Sequence, residues 1–147
     1  SPRTQIGLMY EVMGPLANEF IFGGILDRFQ KLKLICSEFE ISWIPSFMWR
    51  IDQMQDDFGA RLELPKLKMK ASDYMRSRIW HGIIDDPFGA EAIKHIGVDR
   101  VLWGSDFPHV RSIGLDAESR LGNLFSTMSK ADRDKVVSGN VAALYGF

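Results

Sequence analysis

Three short apolar stretches divide the chain, and helical patterns lie between them. The stretches span 32–36, 78–84 and 100–104. They are near-continuous apolar runs or are rich in β-formers, which is typical of parallel strands that are covered on both faces. Strands that alternate with helices form parallel strand–helix units. The sequence therefore predicts an α/β fold with about three parallel strands.

Helical patterns fill the intervals between these strands. Apolar residues recur at helical spacing over about 15–32 and again over 45–58, where Gly59 ends the pattern. Further helices are predicted over 87–95, 116–128 and 131–138, with a short terminal helix within 139–147. We interpret the Lys-rich and Leu-rich stretch after Gly59, which contains Pro65, as a linker.

Composition limits the class of protein and its partners. The 147 residues are 46% hydrophobic, which suits one globular domain over 1–147. Lys and Arg total 18 against 19 Asp and Glu, so neither nucleic acid nor an anionic membrane is an expected partner. No apolar run in the sequence approaches the roughly 18 residues of a membrane span. The single Cys36 lies in an apolar run, which favours a buried thiol and a reducing, cytoplasmic location.

Acidic residues follow each predicted strand. Glu38 and Glu40 follow the first strand, Asp85 and Asp86 the second, and Asp106 the third. In α/β folds the carboxyl ends of parallel strands meet at one edge, where chemistry gathers. The sequence therefore predicts an acidic rim that is suited to a metal ion.

The third strand ends in a recognisable motif, LWGSDFPH at 102–109. Three further stretches match in the same order. The first is LKLICSE at 32–38, with WIP at 43–45 and RID at 50–52; the second is KASDYMR at 70–76, and the third is GNVAALYG at 139–146. This ordered series resembles the amidohydrolase-related family of metal-dependent hydrolases and aromatic-acid decarboxylases, over 14–147. The resemblance implies part of a (β/α)8 TIM-like barrel, a fold of roughly 250 residues, with these strands corresponding to the sixth, seventh and eighth.

The resemblance also implies a divalent metal in the parent protein, with zinc favoured and manganese or iron as alternatives. In the family, an H-x-H pair on the first strand and a histidine on the fifth are metal ligands. His81, His95 and His109 are the only histidines of this sequence, and no two of them lie two residues apart. We therefore expect the isolated chain to lack most of the metal site and to be catalytically inactive.

Asp106 matches the family's aspartate that ligates the metal or takes a proton from metal-bound water. The alternative is a turn or capping aspartate at a strand end. His109, three residues later, is interpreted either as a partner that orients this carboxylate or as an ordinary loop histidine.

Glu38 stands where decarboxylase-like members carry a histidine, so this chain departs from that subgroup. Its carboxylate is interpreted either as a general acid or base or as an ion-pair partner across the barrel mouth. His81 is interpreted as a hydrogen-bonded core residue or as a group near the substrate. Trp43 is interpreted as part of a pocket for a planar substrate or as packing, and Asp85 and Asp86 as rim residues or helix caps.

The expected function is that of a metal-dependent hydrolase or decarboxylase acting on a small organic acid, for example an aromatic one, or on an ester or amide. The alternative is a non-catalytic, truncated fragment or paralogue. Three parallel strands cannot close a barrel, so such a chain would cover its sheet edges by self-association or by pairing with another chain. A doubly wound binding module is disfavoured, because no Gly-rich phosphate loop follows a strand in the sequence.

Overall fold

The structure is a computed structural model that describes residues 2–109, 112–114 and 116–147, without the side chains of residues 2–6, 8 and 9. The chain divides into two compact units, residues 1–34 with 45–79 and residues 35–44 with 80–147. The α/β class is confirmed. The expectation of a single domain over 1–147 stays a prediction.

The first unit is helical. Its helices are α1 (Pro2–Pro15), which continues as a π-helical stretch (Leu16–Ile21), α2 (Ile25–Arg28), α3 (Ile44–Phe58) and α4 (Ala71–Ser77). The helix predicted over 15–32 is wrong in its bounds. Gly24 has a left-handed backbone (φ 74°) before α2, which interrupts the helix, and α2 ends at Arg28.

Helix α4 was not predicted, since its residues follow the Lys-rich stretch interpreted as a linker. Its first amides are bound by side chains of α3: Ala71 N–H donates to Gln55 Oε1 at 2.8 Å, and Ser72 N–H donates to Asp52 Oδ1 at 2.8 Å. The residue at its N-cap, Lys70, makes no side-chain cap. The start of α4 is therefore fixed by another helix, and no local capping pattern marks it in the sequence.

The second unit contains the sheet. Its strands are β1 (Leu34–Cys36), β2 (Ile79–Ile83) and β3 (Val101–Trp103), and they lie in the order β1-β2-β3. Leu34 and Ile79, the first residues of β1 and β2, belong to the first unit. β2 and β3 are parallel and place His81 opposite Val101 and Ile83 opposite Trp103. All three strands lie where the sequence predicts them.

Four helices of the second unit accompany the sheet: α5 (Gly89–Ile96), α6 (Ala117–Leu124), α7 (Lys130–Asp134), extended by a π-helical stretch (Lys135–Gly139), and α8 (Asn140–Tyr145). Each lies within or beside a predicted helix. Asn140 at the start of α8 donates 2.8 Å hydrogen bonds from Nδ2 to the carbonyls of Val98 and Val101. This amide ties α8 to the beginning of β3.

Cys36 on β1 is 7% exposed, as predicted for a buried thiol, and burial raises its pKa to about 11. In the described part of the chain, no helix has the length and apolarity that crossing a bilayer requires. The cytoplasmic location stays a prediction.

Candidate active site

An open cavity of about 380 Å³ lies in the second unit, at the carboxyl ends of the strands. Two carboxylates, Glu38 and Asp106, belong to its walls. The side chains and backbone around them come from all three strand ends and from α8: Ile35, Ser37, Gly82, Ile83, Ile84, Leu102, Trp103, Gly104, Val141 and Tyr145. The structure thus brings together the two residues that the sequence singles out as catalytic, from strand ends 68 positions apart in number.

Asp106 follows β3 on a left-handed backbone, with φ 54°. Its side chain is 22% exposed, and its Oδ2 lies 3.2 Å from Nδ1 of His109. The backbone closes the same turn, since His109 N–H donates to the Asp106 carbonyl at 2.8 Å. His109 is therefore placed to orient the Asp106 carboxylate, and when protonated it can share a proton with it.

Glu38 follows β1, also on a left-handed backbone, with φ 64°. Aspartate tolerates this conformation better than glutamate, because its shorter side chain can hydrogen-bond locally. Strained backbone of this kind persists where the surrounding structure imposes it, and it is frequent at functional sites. The position of Glu38 is thus determined by the fold around it and not by the preference of its own residue type.

The other acidic residues of the predicted rim bind protein groups. Glu40 accepts hydrogen bonds from the amides of Ile84 and Asp85, at 3.0 and 3.1 Å. Asp85 forms an ion pair with Arg120 at 2.6 Å. Of the five predicted rim acids, Glu38 and Asp106 are the two among the cavity's described lining residues.

Asp86 is 4% exposed and accepts three backbone hydrogen bonds. Its donors are the amides of Ile41 at 3.1 Å, Ser42 at 2.7 Å and Phe88 at 3.0 Å. The bond to Phe88 is a local turn bond just before α5, and the other two cross to the segment after β1. Asp86 therefore does more than the helix-capping role considered for it, because it also binds a second segment of the chain.

His81 and Trp43 lie outside the described lining of the cavity. His81 is 1% exposed within β2, and Trp43 is 8% exposed at its place before α3. The Trp43 indole N–H donates to the carbonyls of Phe39 and Glu40, at 2.9 and 3.0 Å. Their roles near a substrate stay predictions, and the burial of both side chains fits the packing interpretation.

Sequence reasoning missed two aromatic residues of the cavity, Trp103 and Tyr145. The Trp103 indole N–H donates to the Ile84 carbonyl at 3.2 Å, which ties the end of β3 to the segment after β2. Tyr145 is 59% exposed and its ring stacks with that of Phe147 at a centroid separation of 6.1 Å. Trp103 could have been found from its place directly before the GSD sequence, whereas α8 reaches the cavity only through the tertiary fold.

The described residues do not form a complete metal site. Within 2–109, 112–114 and 116–147, no three His, Cys, Asp or Glu side chains are grouped so that they could hold an ion. A catalytic zinc site has three protein ligands and a water, while this cavity offers two carboxylates. The oxygens of Glu38 and Asp106 are suitable donors for a hard cation, but on their own they do not fit a catalytic metal.

Comparisons with known proteins extend these observations. The chain is 28% identical over 127 residues to gamma-resorcylate decarboxylase of Polaromonas sp. (strain JS666), covering 83% of this chain and 36% of that protein. A solved dihydroxybenzoic acid decarboxylase from Polaromonas sp. JS666, with bound manganese and the inhibitor 2-nitroresorcinol, superposes with a TM-score of 0.65 at 29% identity. That match covers 84% of this chain and 36% of the decarboxylase.

A solved amidohydrolase from Mycobacterium avium subsp. paratuberculosis K-10 superposes with a TM-score of 0.79 at 21% identity, covering 98% of this chain and 36% of the other. At this identity the likeness concerns the fold, and it confirms the expectation of part of a TIM-like barrel. The chain thus spans little more than a third of the length of these relatives. A comparison with protein families matches residues 5–147, nearly the whole chain, so the chain belongs to the amidohydrolase family.

Proposed function

We propose that the whole protein is a metal-dependent enzyme that decarboxylates a small aromatic acid, and that this chain contributes Asp106 and Glu38 to the active site. The observation that carries the proposal is the cavity at the strand ends, because both carboxylates line it. The matches at 28% and 29% identity are both to decarboxylases of one Polaromonas strain, which favours decarboxylation over the hydrolysis that the family also includes.

The metal is proposed as a divalent cation, and manganese is the first to test because a related solved decarboxylase contains it. Such a cation would neutralise the substrate's negative charge and lower the pKa of a bound water. Since the described residues do not complete a metal site, we assign no step of the reaction to the metal through this chain.

The proposed role of Asp106 is to hold and deliver a proton. Decarboxylation replaces the carboxylate of the aromatic ring with a proton while carbon dioxide leaves, so an acid must stand beside the ring carbon. The Asp106 carboxyl group can carry that proton, and His109 Nδ1, 3.2 Å from Oδ2, can resupply it. Glu38 is proposed as a second acid or base in the same cavity, and Trp103 and Tyr145 as apolar contacts for a planar ring.

The test uses the complete gene product, loaded with Mn²⁺ or Zn²⁺ and incubated with dihydroxybenzoic acids while carbon dioxide release is measured. Asp106→Asn keeps the size of the side chain and removes its acid–base capacity, so kcat is expected to fall at least about 100-fold. Asp99→Asn is the matched control, because Asp99 pairs with Lys135 at 2.8 Å on an exposed surface. An Asp106→Asn enzyme as active as wild type, or a protein that binds no metal, would refute the proposal.

A further inference from the structure

We propose that Glu40 is a positioning residue whose carboxylate sets the place of Glu38 in the cavity. Glu40 has a left-handed backbone, with φ 52°, which glutamate rarely adopts. This conformation directs its carboxylate to two backbone amides of the segment after β2. Oε2 accepts from Ile84 N–H at 3.0 Å and Oε1 from Asp85 N–H at 3.1 Å. Both oxygens of the side chain are thus bound to one short piece of backbone.

A reciprocal contact runs in the opposite direction. Asp86, in the segment after β2, accepts from the amides of Ile41 and Ser42, which directly follow Glu40. Each of the two segments therefore supplies a carboxylate that binds consecutive amides of the other. Hydrogen bonds to a charged acceptor are about twice as strong as neutral ones. With four such bonds, the two segments are held in one relative position.

This position determines where Glu38 lies. Glu38 precedes Glu40 by two residues and shares its left-handed backbone, with φ 64°. Ile84, whose amide binds Glu40, lines the same cavity as Glu38. Glu40 is outside the described lining of that cavity. Its effect on the chemistry is consequently indirect. Glu40 acts by fixing the distance between Glu38 and Ile84, which both line the cavity.

Two substitutions separate the carboxylate contact from the backbone strain. Glu40→Gly removes the carboxylate contact. Because glycine adopts a left-handed backbone without steric cost, this substitution adds no backbone strain that could itself destabilise the protein. Glu40→Gln keeps the side-chain volume and one acceptor oxygen, but turns an amide NH₂ toward a backbone N–H. Glu63→Gly is the matched control, because Glu63 is exposed, has φ 52°, and makes no side-chain hydrogen bond or ion pair within the described residues.

The experiment measures the ¹³C carboxyl signal of Glu38 in the complete gene product, assigned by its loss in Glu38→Gln, together with amide exchange at Ile84 and Asp85. In Glu40→Gly we expect a shifted Glu38 signal and exchange faster by about tenfold or more. Glu40→Gln is expected to give intermediate values, and Glu63→Gly the wild-type values. Because the inference refers to the proposed active site, kcat is expected to fall in the same order.

Three outcomes would overturn the inference. One is an unmoved Glu38 signal in a folded Glu40→Gly protein. Another is equal shifts in Glu40→Gly and Glu63→Gly. The third is loss of cooperative unfolding in Glu40→Gln, which would show that Glu40 is needed for the fold itself. The spectroscopic readout requires no turnover, so a shifted signal in an inactive enzyme would support the role of Glu40 and count against the proposed function alone.

Discussion

At the scale of single residues, the second unit concentrates conformational strain in three acidic residues at strand ends. Glu38, Glu40 and Asp106 have φ values of 64°, 52° and 54°, in a region that costs an L-residue roughly 1–2 kcal/mol. Asp106 is partnered by His109 and Glu40 by two amides. At Asp106 and Glu40 the strain is therefore offset by contacts that also direct the carboxylates.

In the first unit, a buried tyrosine gives a prediction about pH. Tyr74 is fully buried and donates to Asp27 Oδ1 at 2.6 Å. Burial, followed by this hydrogen bond, raises its pKa to about 12 from 10. Because the folded pKa exceeds the unfolded one, the stabilisation is complete below pH 10 and is lost as the pH rises from about 10 to 12.

We expect Tyr74→Phe to lower the free energy of unfolding by about 1–3 kcal/mol at pH 7, since Asp27 loses its donor. Above pH 10 the difference between the two proteins should shrink. Urea unfolding between pH 7 and pH 11.5 measures both effects. Tyr10→Phe is the control, because Tyr10 is 71% exposed. A difference that stays constant across this range would contradict the assignment of the raised pKa.

How far the sequence predicts the site depends on the kind of information each residue carries. Asp106 lies in a recognisable motif, and Glu38 follows an apolar stretch, so both could be identified. The contacts that Glu40 and Asp86 make between the two segments could not, because 44 or 45 positions separate donor from acceptor and nothing local marks them. Long-range pairing of this type requires the register of the strands to be known first.

At the scale of secondary structure elements, the close approach of β1 and β2 depends on Gly82. A Cβ atom at Gly82 would lie 3.1 Å from Ser37 Cα and 3.5 Å from the Cys36 carbonyl oxygen. The second distance is ordinary van der Waals contact, but the first is tighter than usual, so the backbone at Ser37 would have to shift by a few tenths of an ångström. The cavity wall formed by Ser37 would move with it.

We expect Gly82→Ala to destabilise the protein by about 1–3 kcal/mol, which is typical of overpacking. Gly104→Ala is the matched control, since Gly104 lines the same cavity and a Cβ there meets nothing within 4 Å. It should change the unfolding free energy by less than about 0.5 kcal/mol. Urea denaturation of the two variants provides the comparison, and equal losses would argue against the close strand approach.

The secondary structure elements that could be predicted are those marked by a pattern in their own residues. Helix α3 shows an apolar stripe over 45–58, and the structure places it at Ile44–Phe58. Helix α4 depends on Asp52 and Gln55 of α3 for its first hydrogen bonds, so its beginning is not visible in its own residues. In the same way, the apolar pattern over 15–32 continues through Gly24, where the backbone in fact turns.

At the scale of the whole molecule, the sheet has β1 and β3 at its two edges. Unpaired edges and exposed apolar side chains favour association, and Phe88 and Phe107, which follow β2 and β3, are each 69% exposed. We therefore propose that the 147-residue chain on its own self-associates or pairs with another chain. Sedimentation at increasing concentration is expected to show a dimer or larger species, and a monomer at every concentration would contradict self-association.

The central proposal concerns Asp106: we propose that, in the complete protein, its carboxyl group faces a metal ion at the strand-end cavity. Anomalous diffraction from crystals of the complete gene product grown with Mn²⁺ tests this directly. We expect a manganese peak inside the strand-end cavity, with the Asp106 carboxyl group facing it across a bound water, so that Asp106 stays free to hold a proton. A fully occupied manganese ion bound elsewhere, with Asp106 turned away from it, would contradict the claim.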